Sequence, residues 1–378
     1  SLIPNDPSVL FTTAGMQQFK PYYTNPQDAK KDFGSLNVVT AQKCIRTGDI
    51  DEVGDATHLS FFEMLGNFSF GGYGRREAIA YAHEFITKEL GLEISYATFY
   101  KGEGVVPRDE FSKDVWAILG VKDIREDGKD VFWGPTGDSG PCGPTTEIYC
   151  KNAEGQDVEI WNIVFNEYFC DGSREKLDAG EAKLKKLDVM GIDTGMGFER
   201  LLATAQKKKS VYETDLFNGE KTREERIVAD HLKSALFIIS EGVVPENNGR
   251  GYVLRRLLRR VFTKASLIEL PQNFWVDLLP KISSVYAKVY PEIKTKLASI
   301  SSIIEQEQEL FKKPIDGVKL YRTDLEAAKI GIIKKVGDGV SILKDANTAS
   351  GLYIHKLYEM HGNPIDLMKE VAKDSGFK

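Results

Sequence analysis

Residues 42–70 read QKCIRTGDIDEVGDATHLSFFEMLGNFSF, and this stretch decides the fold. It contains two runs typical of β-strands, joined by a polar loop. Arg46 lies at the end of the first run, and His58 and Phe62 begin the second in the pattern H-x-x-x-F. A strand-borne arginine can hold an α-phosphate, a cation near the loop can hold outer phosphates, and an aromatic ring can stack on a base. The alternative is a plain hydrophobic core, which is the role expected for Phe61.

The rest of the first 220 residues continues this pattern of glycines, aromatic residues and short alternating runs, which predicts strands separated by turns. The runs include Ser8–Thr12, Phe61–Phe70 and Glu159–Phe165. One helix is predicted at Arg75–Leu90, where apolar residues share a face and Gly91 follows. The charged segment Asp171–Leu187 predicts a surface hairpin or loop. Few helices separate the strands, so an antiparallel sheet with flanking helices is favoured.

After about residue 220 the apolar residues recur at helical spacing. One helix runs from about Ile227 to Ile239, with Gly242 after it, and a second starts near Tyr252. Further helices are predicted at Phe274–Tyr290, Glu292–Phe311 and Leu352–Met360. The sequence therefore predicts an α+β chain with two domains, residues 1–220 and residues 221–378.

The composition excludes several classes of protein. The 378 residues carry 50 basic and 56 acidic side chains, so the net charge of −6 excludes a uniformly basic coat but not a local basic patch. No apolar run is long enough to span a membrane and no signal peptide begins the chain, so we expect a cytoplasmic protein. The four cysteines form no CxxC pair and the histidines no HExxH motif, so we expect free thiols and no protein-bound zinc.

The second helix of the C-terminal part carries a basic segment without acidic residues. Its basic residues are Arg250, Arg255, Arg256, Arg259, Arg260 and Lys264. The i,i+4 spacing places four of the arginines in adjoining rows on the face opposite the leucines. Like charges at this spacing repel, so we expect a compensating partner. That partner is either nucleic-acid phosphate or local acids such as Glu241 and Glu246.

Two glycine-rich segments can bring backbone close to a ligand. Residues 193–200 read DTGMGFER, and Arg200 there can cover a base by cation–π contact. Residues 132–150 read FWGPTGDSGPCGPTTEIYC and carry Trp133 and Asp138 in a predicted loop. The alternatives are a plain strand-to-helix turn and a plain surface loop. Neither GxxxxGK[ST] nor GxGxxG occurs, so a P-loop or dinucleotide-binding motif has no support.

Several segments together resemble the alanyl-tRNA synthetases, a family of class II aminoacyl-tRNA synthetases. QKCIRTGD with HLSFF resembles motif 2 of the class, GMGFER resembles motif 3, and motif 1 is matched only in part. The other segments are FFEMLGNFSFG, GDSGPCGPTTEI, EIWNIVF, RIVADH and RGYVLRRLLRR. The resemblance extends over residues 8–366. It implies a class II antiparallel sheet with flanking helices, followed by an all-α tRNA-recognition domain.

The resemblance implies that L-alanine and ATP, with Mg²⁺, form alanyl-adenylate, and that alanine then passes to the 3′ end of tRNA(Ala). Arg46, Asp193 and Arg200 would be the catalytic residues. Arg46 would contact the α-phosphate and the alanine carboxylate, Asp193 would accept the α-ammonium, and Arg200 with Phe62 would sandwich the adenine. His58 would hold the outer phosphates. Met64 and Gly197 would also bind ATP, and Trp133, Asn162, Val164 and Gly195 would line the alanine pocket.

The resemblance also implies recognition of the G·U pair in the acceptor stem. Asn247 matches the family's asparagine, and Glu359 stands where the family has aspartate. Arg255, Arg256, Arg259 and Arg260 would position phosphates. The chain contains no His/Cys editing cluster, so we expect no editing domain in it, and we expect a monomer.

Two other functions stay open from the sequence. One is a binding module that binds tRNA but activates no amino acid, and the other is a ligase that loads a carrier instead of tRNA. The retained Arg46, Phe62, Asp193 and Arg200 weigh against the first. Asn247 and the arginine helix weigh against the second.

Overall fold

The computed structural model describes residues 1–217, 219–332, 335–336, 339–345 and 347–377. The chain divides into two compact units, residues 1–220 and 221–378. The first is built on a sheet with flanking helices and the second is mainly helical, which confirms the predicted α+β class.

Eight strands form the main sheet of the first unit. They are β1 (Asn37–Ile45), β2 (Phe61–Ser69), β3 (Ile94–Tyr100), β4 (Ile124–Asp127), β5 (Phe132–Trp133), β6 (Gly140–Lys151), β7 (Asp157–Cys170) and β8 (Leu184–Gly197). Their order is β1-β2-β8-β7-β6-β3-β4, with β5 paired to β6. Neighbouring strands are antiparallel except β3 and β4, which pair in parallel. The long strands β6, β7 and β8 occupy the centre, where burial on both faces favours apolar residues.

Six α-helices belong to the first unit. They are α1 (Lys20–Thr24), α2 (Pro26–Phe33), α3 (Arg75–Glu84), α4 (Glu110–Ile118), α5 (Arg174–Asp178) and α6 (Phe198–Ala205). The side chain of Glu77 accepts the backbone N–H of Gly74, which satisfies a donor at the start of α3. After α3 the chain continues through a wider helical turn, Phe85–Glu89, so the helix predicted at Arg75–Leu90 is present in both parts.

Helices α3 and α4 cover one face of the sheet. Ile79 and Trp116 pack there against Trp161, Ile163 and other buried residues of the central strands. Each apolar side chain removed from water in this layer contributes about 1.5–3 kcal/mol to folding. Because side chains alternate along a strand, this packing fixes which residues of the central strands point to the opposite face.

The second unit contains seven α-helices and four short strands among the described residues. The helices are α7 (Arg223–Ser240), α8 (Gly249–Leu267), α9 (Trp275–Tyr286), α10 (Pro291–Thr295), α11 (Leu297–Lys329), α12 (Gly351–His361) and α13 (Ile365–Asp374). The strands are β9 (Lys335–Val336), β10 (Val340–Ser341), β11 (Leu343–Asp345) and β12 (Thr348–Ala349), which form two two-stranded sheets. Thr222 and Glu225 form a capping box that begins α7. Helix α8 packs against both α7 and α11.

The predicted elements differ from the observed ones in four places. Residues 8–12 form turns and irregular backbone, so the predicted strand there is wrong. The segment predicted as a hairpin or loop, Asp171–Leu187, contains α5 and the first residues of β8. The helix predicted at Glu292–Phe311 is two helices, α10 and the much longer α11. The small sheets β9–β12 add strands to a domain expected to be all-α, because two-residue strands leave no readable periodicity.

The four cysteines, Cys44, Cys142, Cys150 and Cys170, are free and buried, which confirms the expected free thiols. Burial raises the pKa of Cys44, Cys142 and Cys150 to about 12. These thiols are therefore protonated at neutral pH and poorly reactive. In the part of the chain that the structure describes, no helix is long and apolar enough to cross a membrane.

Candidate active site

A cavity of about 380 Å³ lies on the face of the central strands opposite the apolar layer of α3 and α4. Every residue of the first unit that the family resemblance assigns to ATP or alanine lines it. These are Arg46, His58, Phe62, Met64, Trp133, Asn162, Val164, Asp193, Gly195, Gly197 and Arg200. The segments that carry them are far apart in sequence, and the sheet brings them to one surface.

The strand registers arrange the floor of the cavity in rows. Asn162 of β7 lies opposite Glu147 of β6 on one side and opposite Gly195 of β8 on the other. In the next row, Val164 of β7 lies opposite Asp193 of β8. Since side chains of one face recur every second residue, both rows face the cavity. The pleat thus places a carboxylate, an amide and an apolar side chain around one small space.

Gly195 leaves that space open. A Cβ built at Gly195 would lie 3.0 Å from the Sδ atom of Met64. This is closer than nearly all observed Cβ contacts, so any side chain at Gly195 would displace Met64 or fill the pocket. Met64 lies opposite Gly197 in the next row, so two glycines of DTGMGFER form the part of the floor next to it.

Asp193 is a buried carboxyl group at the floor of the cavity. Burial raises the pKa of Asp193 from its usual value of 3.8 to about 8, because the charged form is poorly solvated there. A cation placed beside Asp193 would favour the ionised form and lower this pKa. The group is therefore suited to receive a positively charged ligand group.

Glu147 holds the amide of Asn162. The Nδ2 atom of Asn162 donates to Glu147 Oε1 at 3.0 Å, and the Tyr149 hydroxyl donates to Glu147 Oε2 at 2.9 Å. Burial and the nearby charge of Glu159 raise the pKa of Glu147 to about 7. The sequence alone does not reveal this role of Glu147, because its partner Asn162 lies on another strand.

Phe62 and Arg200, which are expected to sandwich the adenine, both line the cavity. The guanidinium group that lies over the Phe62 ring belongs to Arg46, at 5.0 Å from the ring centroid. Arg46 also donates from Nε to the carbonyl oxygen of Thr13 at 3.3 Å. Arg200 lines the same cavity and forms an ion pair with Glu159 at 3.4 Å. Both arginines thus lie at the cavity with partners that a phosphate or a base can replace.

His58 lies in the loop before β2 and is held by Asp55. The Nδ1 atom of His58 lies 2.6 Å from Asp55 Oδ2, while Asp55 Oδ1 accepts the backbone N–H groups of Thr57 and His58. Partial burial acts to raise the pKa of Asp55, but these hydrogen bonds lower it below its usual value. Asp55 thereby holds the imidazole of His58 in place where it lines the cavity.

Sequence reasoning missed several residues that line the cavity. They are Ala14, Asp49, Thr57, Leu59, Ile160 and Glu199. Glu199 is buried and its carboxylate accepts the backbone N–H of Glu63, which joins α6 to β2. The sequence places Glu199 near the start of the helix that follows β8. It does not predict that the partner of Glu199 lies on β2. Asp138, which the glycine-rich loop suggested, is not among the lining residues.

Arg255 of the basic helix contacts the loop that carries Asn247. Its guanidinium group donates to Asn247 Oδ1 and to the carbonyl oxygen of Pro245. Its Nε also pairs with the buried carboxylate of Glu307 on α11, at 3.2 Å. Asn247 itself is exposed, and its Oδ1 is occupied by Arg255, so its amide N–H groups point away from this contact.

Arg260 is wrongly predicted as part of an exposed phosphate-binding row. It is buried, donates from Nε to His231 Nε2 at 3.1 Å, and pairs with Glu370 of α13. Lys264 is also buried and pairs with Glu370 and Asp374. Helix α8 packs against other helices on two sides, so part of the face opposite its leucines is buried as well. The acids that compensate the charges on this face lie on α11 and α13. The acids that pair with Arg260 and Lys264 are thus not the local acids expected from the sequence but Glu370 and Asp374, about 110 residues later in the chain.

The remaining candidates of the second unit are at least partly exposed. Arg259 pairs with Glu307 at 3.0 Å and lies over the ring of Phe311, with 29% of its side chain exposed. Arg256 is half-buried. Glu359 on α12 is exposed and lies 3.4 Å from His355, one turn earlier on the same helix.

Comparison with known proteins shows one family. The family model described as tRNA synthetases class II (A) matches residues 1–378. The chain is 37% identical to the alanine–tRNA ligase of Petrotoga mobilis and 38% identical to that of Borreliella afzelii. All of this chain aligns in both cases, but it spans only 44% and 66% of those relatives. The solved structure of S. aureus apo histidyl-tRNA synthetase matches 52% of each chain at 15% identity and a TM-score of 0.34, which is too low to support a conclusion.

The Glu307 carboxylate holds both Arg255 and Arg259, so Glu307→Gln should lower the free energy of unfolding of the second unit by about 2 kcal/mol. The loss arises because the partly buried guanidinium groups keep their charge without a counter-ion. Chemical denaturation of the full chain measures it. Glu309→Gln on the same helix breaks only the exposed pair with Lys312 and should change stability by less than about 0.5 kcal/mol. Equal effects of the two changes would contradict a structural role for the Glu307 pairs.

Asp193→Asn should make the chain more stable near pH 8 and reduce the pH dependence of its stability. Between pH 3.8 and about 8 the unfolded state has released this proton and the folded state retains it. Stability therefore falls as pH rises, by at most about 1.4 kcal/mol per pH unit. Denaturation at pH 5, 6, 7 and 8 measures the slope. Glu147 contributes to the slope of stability against pH equally in the wild type and in the variant. Identical slopes for the two proteins would therefore show that Asp193 is ionised in the folded chain.

Proposed function

Because the chain belongs to the class II tRNA synthetases (A), we propose that it activates L-alanine with ATP to alanyl-adenylate and transfers alanine to the 3′ end of tRNA(Ala). The observation that carries the proposal is the buried Asp193 beside Gly195 in a cavity of about 380 Å³. An acid with a raised pKa next to an open glycine suits an α-ammonium group with a small side chain. The sequence similarity to alanine–tRNA ligases agrees with this substrate. We also propose that the chain acts in the cytoplasm, where ATP and tRNA are available.

In the proposed complex the alanine ammonium contacts Asp193 and its methyl group lies against Val164 and Trp133. These apolar side chains border the row that contains Gly195. A pocket of this kind rejects larger side chains by size. It discriminates weakly against glycine, since one methyl group contributes only about 1–3 kcal/mol.

ATP is proposed to occupy the part of the cavity formed by β2 and the end of β8. Arg46 contacts the α-phosphate, His58 holds the outer phosphates, and Phe62 stacks on the adenine, with Arg200 on its other face. Met64 and Gly197 form the floor beneath the nucleotide. Arg46 would leave the Phe62 ring, where its guanidinium group lies 5.0 Å from the centroid, to reach the phosphate.

Mg²⁺ fits this site as an ion that arrives with ATP. Among the described residues no group of three His, Cys, Asp or Glu side chains is placed to hold a metal. Mg²⁺ commonly uses one or two carboxylates together with substrate phosphates and water. Glu159 is the suitable carboxylate, because it lines the cavity, is 35% exposed and forms a long ion pair of 3.4 Å with Arg200. When bound, the ion would neutralise charge on the phosphates.

The proposed chemistry requires no protein nucleophile. An oxygen of the alanine carboxylate attacks the α-phosphorus, and the bond from that phosphorus to the β-phosphate oxygen breaks to release pyrophosphate. Arg46 stabilises negative charge that develops on the α-phosphate, and His58 stabilises charge on the leaving pyrophosphate. Positioning of the two substrates on a rigid sheet supplies much of the remaining acceleration.

The second unit is proposed to bind the acceptor stem of tRNA(Ala). Asn247 is exposed and its amide N–H groups are available to a base edge. Arg255, Arg256 and Arg259 are partly exposed and can contact phosphates, whereas Arg260 has no such role. Glu359 is proposed to act with Asn247 at the G·U pair. Residues 221–378 would then recognise the tRNA that residues 1–220 charge.

The chain should catalyse alanine-dependent exchange of pyrophosphate into ATP. Asp193→Asn should raise the KM for alanine by about 100-fold, the loss of one strong hydrogen bond to a charged group, and the KM for ATP by less than about twofold. Steady-state exchange at pH 8 with Mg²⁺ measures both constants. Asp138→Asn, outside the cavity, is the matched control and should leave both unchanged. Absence of alanine-dependent exchange in the wild type would refute the proposed activity.

A minihelix with a G·U pair should be charged faster than the same minihelix with G·C, and Asn247→Ala should abolish the difference. The expected loss of discrimination is about tenfold in kcat/KM, since a base-edge contact contributes about 1–3 kcal/mol. Asn248→Ala is the control, because the adjacent Asn248 side chain makes no capping hydrogen bond at the start of α8. Equal charging of both minihelices by the wild type would show that this unit does not read the pair.

A further inference from the structure

Glu147, Asn162 and Gly195 form one row across β6, β7 and β8. Glu147 is buried, and both of its carboxylate oxygens accept hydrogen bonds, one from Asn162 Nδ2 and one from the Tyr149 hydroxyl. An ionised carboxylate can only accept. The amide of Asn162 must therefore turn its NH₂ group to Glu147 and its oxygen the other way.

The oxygen of Asn162 has no hydrogen-bond donor in the part of the chain that the structure describes. Asn162 Oδ1 is buried and accepts no hydrogen bond from the described residues. Leaving a buried polar atom unpaired costs about 1–3 kcal/mol, so an unpaired atom that also lines a cavity is suited to accept a hydrogen bond from a ligand there. Asn162 lines the cavity, and its neighbour across β8 is Gly195, which has no side chain to cover this oxygen.

We propose that Glu147 is a positioning residue for alanine: it fixes the Asn162 amide so that Oδ1, together with the Asp193 carboxylate, accepts N–H groups of the α-ammonium. The inference rests on the proposed function, since it specifies how that function's amino-acid site is oriented. An ammonium group has three N–H donors, and the carboxylate of Asp193 on one side of it leaves at least one of them to another acceptor. The Asn162 oxygen supplies a second acceptor in the adjacent row.

The partner of Glu147 is itself held rigidly. The rings of Tyr149 and Tyr96 are stacked, with centroids 4.2 Å apart and an interplanar angle of 11°. The guanidinium group of Arg125 lies over Tyr96 at 3.5 Å from the centroid. This stack keeps the Tyr149 hydroxyl directed at Glu147 Oε2, so the carboxylate cannot rotate away from Asn162 without losing a hydrogen bond. The stacked rings of Tyr96 and Tyr149 thus help to fix the Asn162 amide through its partner Glu147.

Glu147→Gln tests the proposal because glutamine keeps the shape but can also donate. The Asn162 amide can then turn and present its NH₂ group to the ammonium. We expect the KM for alanine in pyrophosphate exchange at pH 8.5 to rise about tenfold while the KM for ATP stays within twofold. Isothermal titration with alaninol, which keeps the ammonium and lacks the carboxylate, should show the same loss of affinity.

Combining Glu147→Gln with Asn162→Asp should restore the site. The new amide at position 147 donates to the carboxylate at position 162, whose second oxygen faces the cavity whichever way it turns. The double variant should recover the KM for alanine to within about threefold of wild type. A residue that served only to pack β6 against β7 would not be rescued by a second change, so rescue separates positioning from a structural role.

Glu126→Gln on β4 is the control, because this exposed carboxylate pairs with Arg108 away from the cavity. It should change neither constant, and thermal unfolding checks that every variant folds. If Glu147→Gln fails to fold, Tyr149→Phe provides a milder test and should raise the KM for alanine about threefold. An unchanged KM for alanine, or an equal rise for ATP, overturns the positioning role. Loss of exchange in the wild type would instead overturn the proposed function.

Discussion

The register of four antiparallel strands, β2, β8, β7 and β6, is the constraint on which the site depends. In this register Asn162 lies between Glu147 and Gly195, and Asp193 lies beside Val164. Because side chains alternate, a slip of one residue would turn every one of these groups into the apolar layer under α3 and α4. The packing of Trp161 and Ile163 in that layer therefore fixes which residues face the cavity as well as the fold. One hydrophobic layer positions polar groups from three separate segments.

The same register creates a conflict between stability and function. It buries Asp193 and Glu147 in neighbouring rows of the sheet. Burial raises the pKa of Asp193 to about 8 and the pKa of Glu147 to about 7. Each group destabilises the fold when it is ionised in the empty cavity. The proposed binding of an ammonium group would offset this cost and would thereby favour a cationic ligand over a neutral one. A sheet this well packed can tolerate such groups because its apolar face is extensive.

The basic helix shows how charge counts mislead without tertiary contacts. Six basic residues between 250 and 264 with no acid among them point to an external anionic partner. The structure supplies acids from other helices instead: Glu307 holds Arg255 and Arg259, and Glu370 holds Arg260. Arg255 in turn holds Asn247, so part of the cluster supports the loop that is proposed to read the tRNA. Only the outer part of the arginine surface remains available to phosphates.

The sequence by itself determined the α+β class, the change to helices near residue 220, and the set of segments that meet at the cavity. These follow from local periodicity, from the positions of glycines and from short motifs, all of which can be recognised within one segment of sequence. It could not predict that Arg46 lies over Phe62, that Glu147 orients Asn162, or that Arg260 is buried, and it wrongly predicted a strand at residues 8–12. Those outcomes depend on partners from distant strands and helices. Only the tertiary structure decides them, because burial and hydrogen-bond orientation are properties of contacts between segments and not of any segment alone.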